Sequence, residues 1–369
     1  MGTQKPKYIE VADWVLSQIE NGTFKEGERL PSEHELCLRF HLNRQTVRHA
    51  IDVLEQKNLL TRIQGSGTYV GSERRTDRLK RYYNIAVVST YVDSYIFPSV
   101  LKGIEQMLSK SGYTMQVAFT GNQVEREGEI LRKIVDKGMI DGLIAEPAKS
   151  AIPNPNLHFY QQLKKQGIPV LFVNSKYQTL DMPYVSLNDA QVGEKAAEYL
   201  IRAGHRKLGG LFKCDDGQGH LRYLGFIRAL EKAGLKADGR NVLWMDSESQ
   251  TDMEVWSDYL FERLSGCTGL VCYNDEVAYR FAAICKDRGI RIPEDISIVG
   301  IDNSELSVIG EVPITSFPHP MESLGKKAAK NMIKLIENPS FEAGYLFDSE
   351  VVERNSVKVI SPDRPLISG

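Results

Sequence analysis

Between residues 8 and 70 the apolar positions recur first at helical and then at strand spacing. Tyr8, Val11, Ala12, Val15, Leu16 and Ile19 share one face of a helix. Asn21-Gly22 ends it with residues that tolerate left-handed backbone. Ser32-Glu33-His34-Glu35 has capping-box spacing, in which the Ser side chain and the Glu three residues on satisfy each other's free backbone donors. A second, short helix is therefore expected from about Ser32 to Phe40. The turn His41-Leu42 leads to Asn43, a suitable N-cap for a third helix with Val47, Ala50, Ile51 and Leu54 as its buried stripe. Leu60–Ile63, the tip Gln64-Gly65-Ser66-Gly67, and Thr68-Tyr69-Val70 then form a hairpin pattern.

From Asn84 onward the pattern changes. Short apolar runs (IAVVS, MQVAF, GLIAE, PVLFV, LGGLF, GLVCY, ISIVGI) alternate with amphipathic stretches, as parallel sheets with helices on both faces require. At about 285 residues this region exceeds one ordinary doubly wound domain. Two lobes with a cleft between them are expected, exchanging near 184 and 318. The domain plan is thus 1–71 for a small winged helix-turn-helix unit, 72–83 for a linker, and 84–369 for a two-lobed α/β unit. The linker carries Arg74, Arg75, Arg78, Lys80 and Arg81 with no apolar stripe.

Composition narrows the function classes. No apolar stretch approaches the ~20 residues of a membrane span, and the N-terminus lacks the pattern of a signal peptide, so a cytoplasmic protein with no membrane partner is expected. The five cysteines are scattered without a CxxC, which suggests neither a disulfide framework nor a metal site. The net charge of −2 divides into +3 for residues 1–82 and −5 for the remainder. So small an excess makes placement matter more than total.

Placement favours nucleic acid. Two short helices joined by a tight turn fit helix-turn-helix geometry, where the N-terminal residues of the second helix meet base edges in the major groove. Arg44, Gln45, Thr46 and Arg48 occupy those positions; Arg pairs with guanine, Gln with adenine, and Thr serves bases or phosphate. In the larger region, ligands bind beyond the carboxyl ends of parallel strands. The polar residues ending the runs are Ser89/Thr90, Glu146, Asn174, Asn274/Asp275 and Asp302. No nucleophile–base pair, metal-spaced cluster or phosphate-cradling glycine motif accompanies them, so no enzyme, cofactor or metal is expected. Gly209-Gly210 and Gly217-x-Gly219 lack dinucleotide-fingerprint spacing.

The stretch LPSEHELCLRFHLNRQTVRHAIDVLEQKNLLTRIQGSGTYV resembles the winged-helix signature of the GntR family. The resemblance implies operator DNA as partner, with contacts from Arg44, Gln45, Thr46, Arg48, Gln64 and Gly65. It departs at His34, where relatives carry Arg, and at Asn58, where Gly is usual. The phrases DGLIAEP, IPVLFVN, HRKLGGLF, RYLGF, TGLVCYNDEVA, GIRIPEDISIVGIDNSEL and PITSFPHPMESLGKKAA resemble, in order, the effector domain of the LacI/GalR family. That implies a periplasmic-binding-protein-like fold, a homodimer, and a small-molecule effector held by Glu146, Asn174, Arg222, Asn274, Asp302 and His319, with Tyr95 and Phe97 packing against it. Asp, Glu, Asn and Arg suit the vicinal hydroxyls of a sugar. A GntR-type reader before a LacI-type effector domain resembles the arabinose-utilisation repressors, which makes L-arabinose the leading ligand. A transport-type sugar-binding protein, an enzyme on the same fold, and a GntR reader with another effector domain fit the chain less well.

Overall fold

The computed structural model describes residues 6–57, 59–63, 66–71, 81–92 and 95–360. Two compact units divide between Tyr82 and Tyr83. In the first, α1 (Lys7–Glu20), α2 (Glu33–Phe40) and α3 (Arg44–Gln56) precede an antiparallel pair, β1 (Leu60–Ile63) and β2 (Gly67–Val70), in which Leu60 faces Val70. Both halves of the Ser32 capping box are formed. His41 ends α2 in the left-handed region, and the Asn43 side chain accepts from the Thr46 N–H at 2.9 Å to start α3. Val11, Val15, Leu36, Val47, Ile51, Leu54 and Leu60 fill the space between helices and hairpin. The segment at 27–30 adds to the free edge of β2 through Leu30 N–H to Thr68 O and Val70 N–H to Glu28 O. Gly67 suits this edge: its φ is +139°, and a Cβ there would meet the Arg29 side chain.

The second unit runs β3 (Asn84–Ser89), α4 (Phe97–Lys110), β4 (Thr114–Phe119), α5 (Val124–Lys137), β5 (Gly142–Ala145), α6 (Leu157–Lys165), β6 (Val170–Val173), β7 (Tyr184–Leu187), α7 (Asp189–Arg202), β8 (Leu208–Lys213), α8 (Gly217–Lys232), β9 (Val242–Met245), α9 (Ser257–Arg263), β10 (Gly269–Cys272), α10 (Asp275–Asp287), β11 (Ser297–Asp302), α11 (Leu306–Ile309), β12 (Thr315–Pro318), α12 (Met321–Glu337) and β13 (Tyr345–Phe347). Two parallel sheets result, ordered β13-β7-β6-β5-β3-β4 and β12-β11-β10-β8-β9.

The unbroken apolar runs follow from burial on both faces of each sheet. Along β3, Ile85 and Val87 face α4 and α12, whereas Ala86 and Val88 face α5 and α6. The second sheet lies likewise between two clusters, one built on Phe281 and Ile298, the other on Phe212 and Phe226. Each such buried Val, Ile or Phe side chain contributes about 1.5–3 kcal/mol against exposure.

The chain passes between the lobes three times. It leaves the first sheet after Leu187, because β7, beginning at the residue marked in the sequence, still pairs with β6. It returns after Pro318 into α12, which packs against the first sheet. After β13 it crosses again, where Val352 bridges Ser316 and the Ile360 N–H bonds Ala203 O. This third passage had no counterpart in the sequence pattern.

Candidate functional site

In the first unit α3 presents Arg44, Gln45 and Arg48 to solvent, with Thr46 half-buried and its hydroxyl on the Asn43 side chain at 2.9 Å. The side chains of Arg44 and Arg48 are 78% and 62% exposed, enough to reach a partner. Both lean toward one carboxylate, Glu33 on α2: Arg44 Nε donates to Glu33 Oε2 at 2.8 Å, and Arg48 Nε stands 3.9 Å from Oε1. That pairing raises the Arg44 pKa. Glu33 was legible in the sequence only as part of the capping box. Arg62 turns inward to Asp52 and Glu55. Gln64, Gly65, Asn58 and the linker residues Arg74, Arg75, Arg78 and Lys80 lie outside the described residues.

Between the lobes of the second unit is a cleft of about 240 Å³, whose walls include Tyr95, Phe97, Glu146, Arg222, Asn274 and Asp302. Its floor is organised around Arg222, which is 1% exposed. Gly193 on α7 and Gly225 on α8 let the helices meet at backbone distance; a Cβ on Gly193 would stand 2.1 Å from the Arg222 carbonyl oxygen. This approach seats the guanidinium beside the start of α7. There Nε donates to Asp189 Oδ1 at 2.8 Å, while Nη1 donates to the Tyr273 carbonyl at 2.5 Å and Nη2 to Asp302 Oδ1 at 3.3 Å. Burial works against the Arg222 charge, but Asp189 and Asp302 outweigh it and its pKa is raised. Burial pushes the Asp189 carboxyl up to about 6 against the pull of Arg222. Asp302, at φ +102°, holds a conformation that side chains rarely adopt, and such strain concentrates at functional sites.

Tyr95, from the first lobe, donates to Asp302 Oδ2 at 2.6 Å, so the two lobes meet at this carboxylate. Glu146, the residue after β5, accepts from the Thr90 N–H at 3.0 Å and hydroxyl at 2.6 Å, and from Asn174 Nδ2 at 2.7 Å. Asn174 is not part of the cleft wall; it reaches the site through Glu146. The Asn274 oxygen caps α10 by accepting from the Val277 N–H at 2.9 Å, while the residue still lines the cleft. His319 is also absent from the wall; it is buried, neither ring nitrogen has a partner, and burial lowers its pKa to about 4. Thr90 was among the strand-end residues marked in the sequence; Asp189, Lys213 and Gln250 were missed. A fully buried Arg requires a buried acid, but the burial of Arg222 shows only in the structure, so nothing in the sequence pointed to Asp189.

Among the described residues no group of His, Cys, Asp and Glu could hold a metal ion, and no helix is long and apolar enough to cross a membrane.

A winged-helix unit joined to a two-lobed binding unit defines a ligand-responsive regulator of transcription. Residues 7–70 match the model of the bacterial regulatory proteins of the gntR family, and residues 197–357 the periplasmic binding protein-like domain. The chain is 36% identical to the arabinose metabolism transcriptional repressor of Geobacillus stearothermophilus over 360 residues, covering 96% of this chain and 98% of that protein. It is 35% identical to the repressor of the same name from Halalkalibacterium halodurans, covering 95% and 96%. The chain belongs to the family of arabinose metabolism transcriptional repressors. The solved structure of transcription regulator CcpA of Lactococcus lactis shares the fold, at 24% identity and a TM-score of 0.67 over 74% of this chain and 99% of that one.

Proposed function

We propose that the protein represses transcription as a homodimer on a two-fold operator, and that a neutral sugar, L-arabinose first, binds between the lobes and releases it. Arg44, Gln45, Thr46 and Arg48 are the base- and phosphate-contacting residues of this reading, with Gln64 and Gly65 at the wing. Tyr95, Phe97, Glu146, Arg222, Asn274 and Asp302 meet the ligand; Asn174 and His319 support the site from behind the wall. One reader offers few base contacts, so specificity calls for two copies.

The observation that carries the choice of ligand is the charge of the cleft wall. Glu146, Asp216, Glu276 and Asp302 outnumber Arg222 and Lys213. A phosphate or carboxylate entering there meets net repulsion, whereas a polyol finds both acceptors and fixed donors. At about 240 Å³ the cleft lies just below the ~300 Å³ at which sites for drug-sized ligands begin, a size that favours a small ligand such as a monosaccharide. The names of two relatives, both arabinose metabolism transcriptional repressors, support taking arabinose first; another pentose or a hexose is the second choice.

For the sugar to release DNA it must bind the low-affinity state of the dimer more tightly, and operator DNA must weaken sugar binding by the same factor. Calorimetry with L-arabinose, D-xylose, D-ribose and D-galactose, each with and without operator, tests this. Heat from none of them would end the reading. Sedimentation giving a monomer at working concentration, with and without DNA, would end the dimer.

A further inference from the structure

The cleft contains an acceptor without a partner, Gln250 Oε1, and an ammonium, Lys213, that the protein engages only through two long ion pairs. Lys213 ends β8 with its side chain 12% exposed, and Nζ stands 3.5 Å from Asp216 Oδ2 and 3.8 Å from Asp215 Oδ1. Both separations exceed the usual ~2.7–3.2 Å of an N–H···O bond, and an ammonium has three N–H groups to place. Gln250 is 8% exposed, and its Oε1 accepts no hydrogen bond. Both residues face the same cleft as Arg222. Buried polar groups without partners are uncommon in native proteins, and a ligand is one of the things that completes them.

Tyr273 ties this pair to the floor of the site. Its carbonyl accepts from Arg222, while its hydroxyl donates to Asp216 Oδ2 at 2.5 Å, next to Lys213. The Lys213 ammonium also lies 5.8 Å from the Tyr273 ring centroid. Burial works against the ammonium, but Asp216 and Asp215 outweigh it and keep it charged.

A ligand hydroxyl both donates and accepts, and the third N–H of Lys213, left over by its two carboxylates, and the unpartnered Gln250 C=O are its two complements. We propose that Lys213 and Gln250 form a further subsite that takes one hydroxyl of the bound polyol and so sets which sugar the cleft accepts. This rests on the sugar-binding reading above. A site built to hydrogen-bond a hydroxyl rejects the analogue that lacks it far better than an apolar wall rejects a misfit.

The test is calorimetry on the full-length protein, Lys213→Met and Gln250→Leu, using whichever of the four sugars the parent binds most tightly and its singly deoxygenated analogues. Lys213→Met is expected to lose about 10–100-fold in affinity for the full sugar and Gln250→Leu about 3–10-fold. For one deoxygenated analogue the parent and Lys213→Met should bind alike, because the contact is then missing on either side. Equal affinity of parent and variants for the full sugar overturns the subsite. So does a loss of the same size for every analogue, which would mean that Lys213 only balances Asp215. Silence of the parent toward all four sugars overturns the sugar reading itself, and the subsite with it. A melting transition of the second unit within a few degrees of the parent's, read by scanning calorimetry on the full-length variants, establishes that they fold.

Discussion

Glu33 holds Arg44 across the turn between α2 and α3, at 2.8 Å, and has Arg48 within 3.9 Å of its second oxygen. An acid set between two exposed arginines reduces their pull on any phosphate while fixing their direction. Glu33→Gln should therefore strengthen binding to random DNA, steepen its salt dependence, and weaken binding to the operator, narrowing the ratio between the two. Gel shifts on operator and scrambled duplexes over a salt series read this directly. Arg44→Ala is expected to cost ~1–3 kcal/mol on the operator at fixed salt. Unchanged affinity would remove Arg44 from the reading surface.

Arg222 and Asp302 are expected to serve the ligand and not the DNA. Asp302→Asn keeps an acceptor for Arg222 and Tyr95 but removes a carboxylate facing the cleft, so the heat of sugar binding should vanish while operator shifts persist. Arg222→Ala leaves Asp189 buried without its cation, and losses of ~3–5 kcal/mol in stability accompany such removals. Normal release of DNA by sugar in either variant would contradict the assigned pocket.

Gly193 is not part of the cleft wall, yet its lack of a side chain lets the Arg222 backbone pack against α7. Gly193→Ala should push α8 from α7, lower stability by ~1–3 kcal/mol as overpacking does, and weaken sugar binding. A scanning-calorimetry trace and a sugar titration identical to those of the parent would show that the helices part without moving the guanidinium.

Asp275 gives a prediction in pH. It is fully buried, accepts from Ser316 Oγ at 2.6 Å and the Ser304 N–H at 2.7 Å, and burial, then the nearby Asp302, pushes its carboxyl up to about 7. The folded chain thus binds this proton more tightly than the unfolded chain, where the value is about 3.9. Its contribution to stability is full below about pH 4 and is lost as pH rises to 7. The Tm of Asp275→Asn relative to the parent should therefore rise between pH 5 and pH 8. A constant difference would contradict the shift.

Legibility in the sequence followed how local each signal was. The capping box at Ser32 and the Asn43 cap are satisfied within a few residues, and both helix starts were visible from spacing alone. The runs of β3, β5, β6 and β10 are buried on both faces and stood out as unbroken apolar stretches. β9, β12 and β13 did not: all three are sheet-edge strands, β12 is broken up by Thr315, Ser316 and Pro318, and β9 and β13 are runs of only four and three residues, VLWM and YLF. Arg222, Glu146 and Asp302 were found at strand ends or by resemblance. Asp189, Lys213 and Gln250 were not, since their meaning comes from contacts between segments far apart in the chain. His319 and Asn174 show the converse: each was named as a ligand contact, and the cleft wall contains neither.

The three crossings between lobes have a consequence for how the protein is made. The DNA-reading unit is contiguous and can fold once roughly the first 70 residues have left the ribosome, whereas the first lobe lacks an edge strand until residues 345–347 emerge and pair with β7. A chain interrupted anywhere in its later half would carry an intact reader with an unfinished sensor. In a cell that product could occupy operators yet never hear the sugar, so premature termination late in the gene is expected to act as a dominant, uninducible lesion when its product survives proteolysis and still pairs with itself or with intact copies.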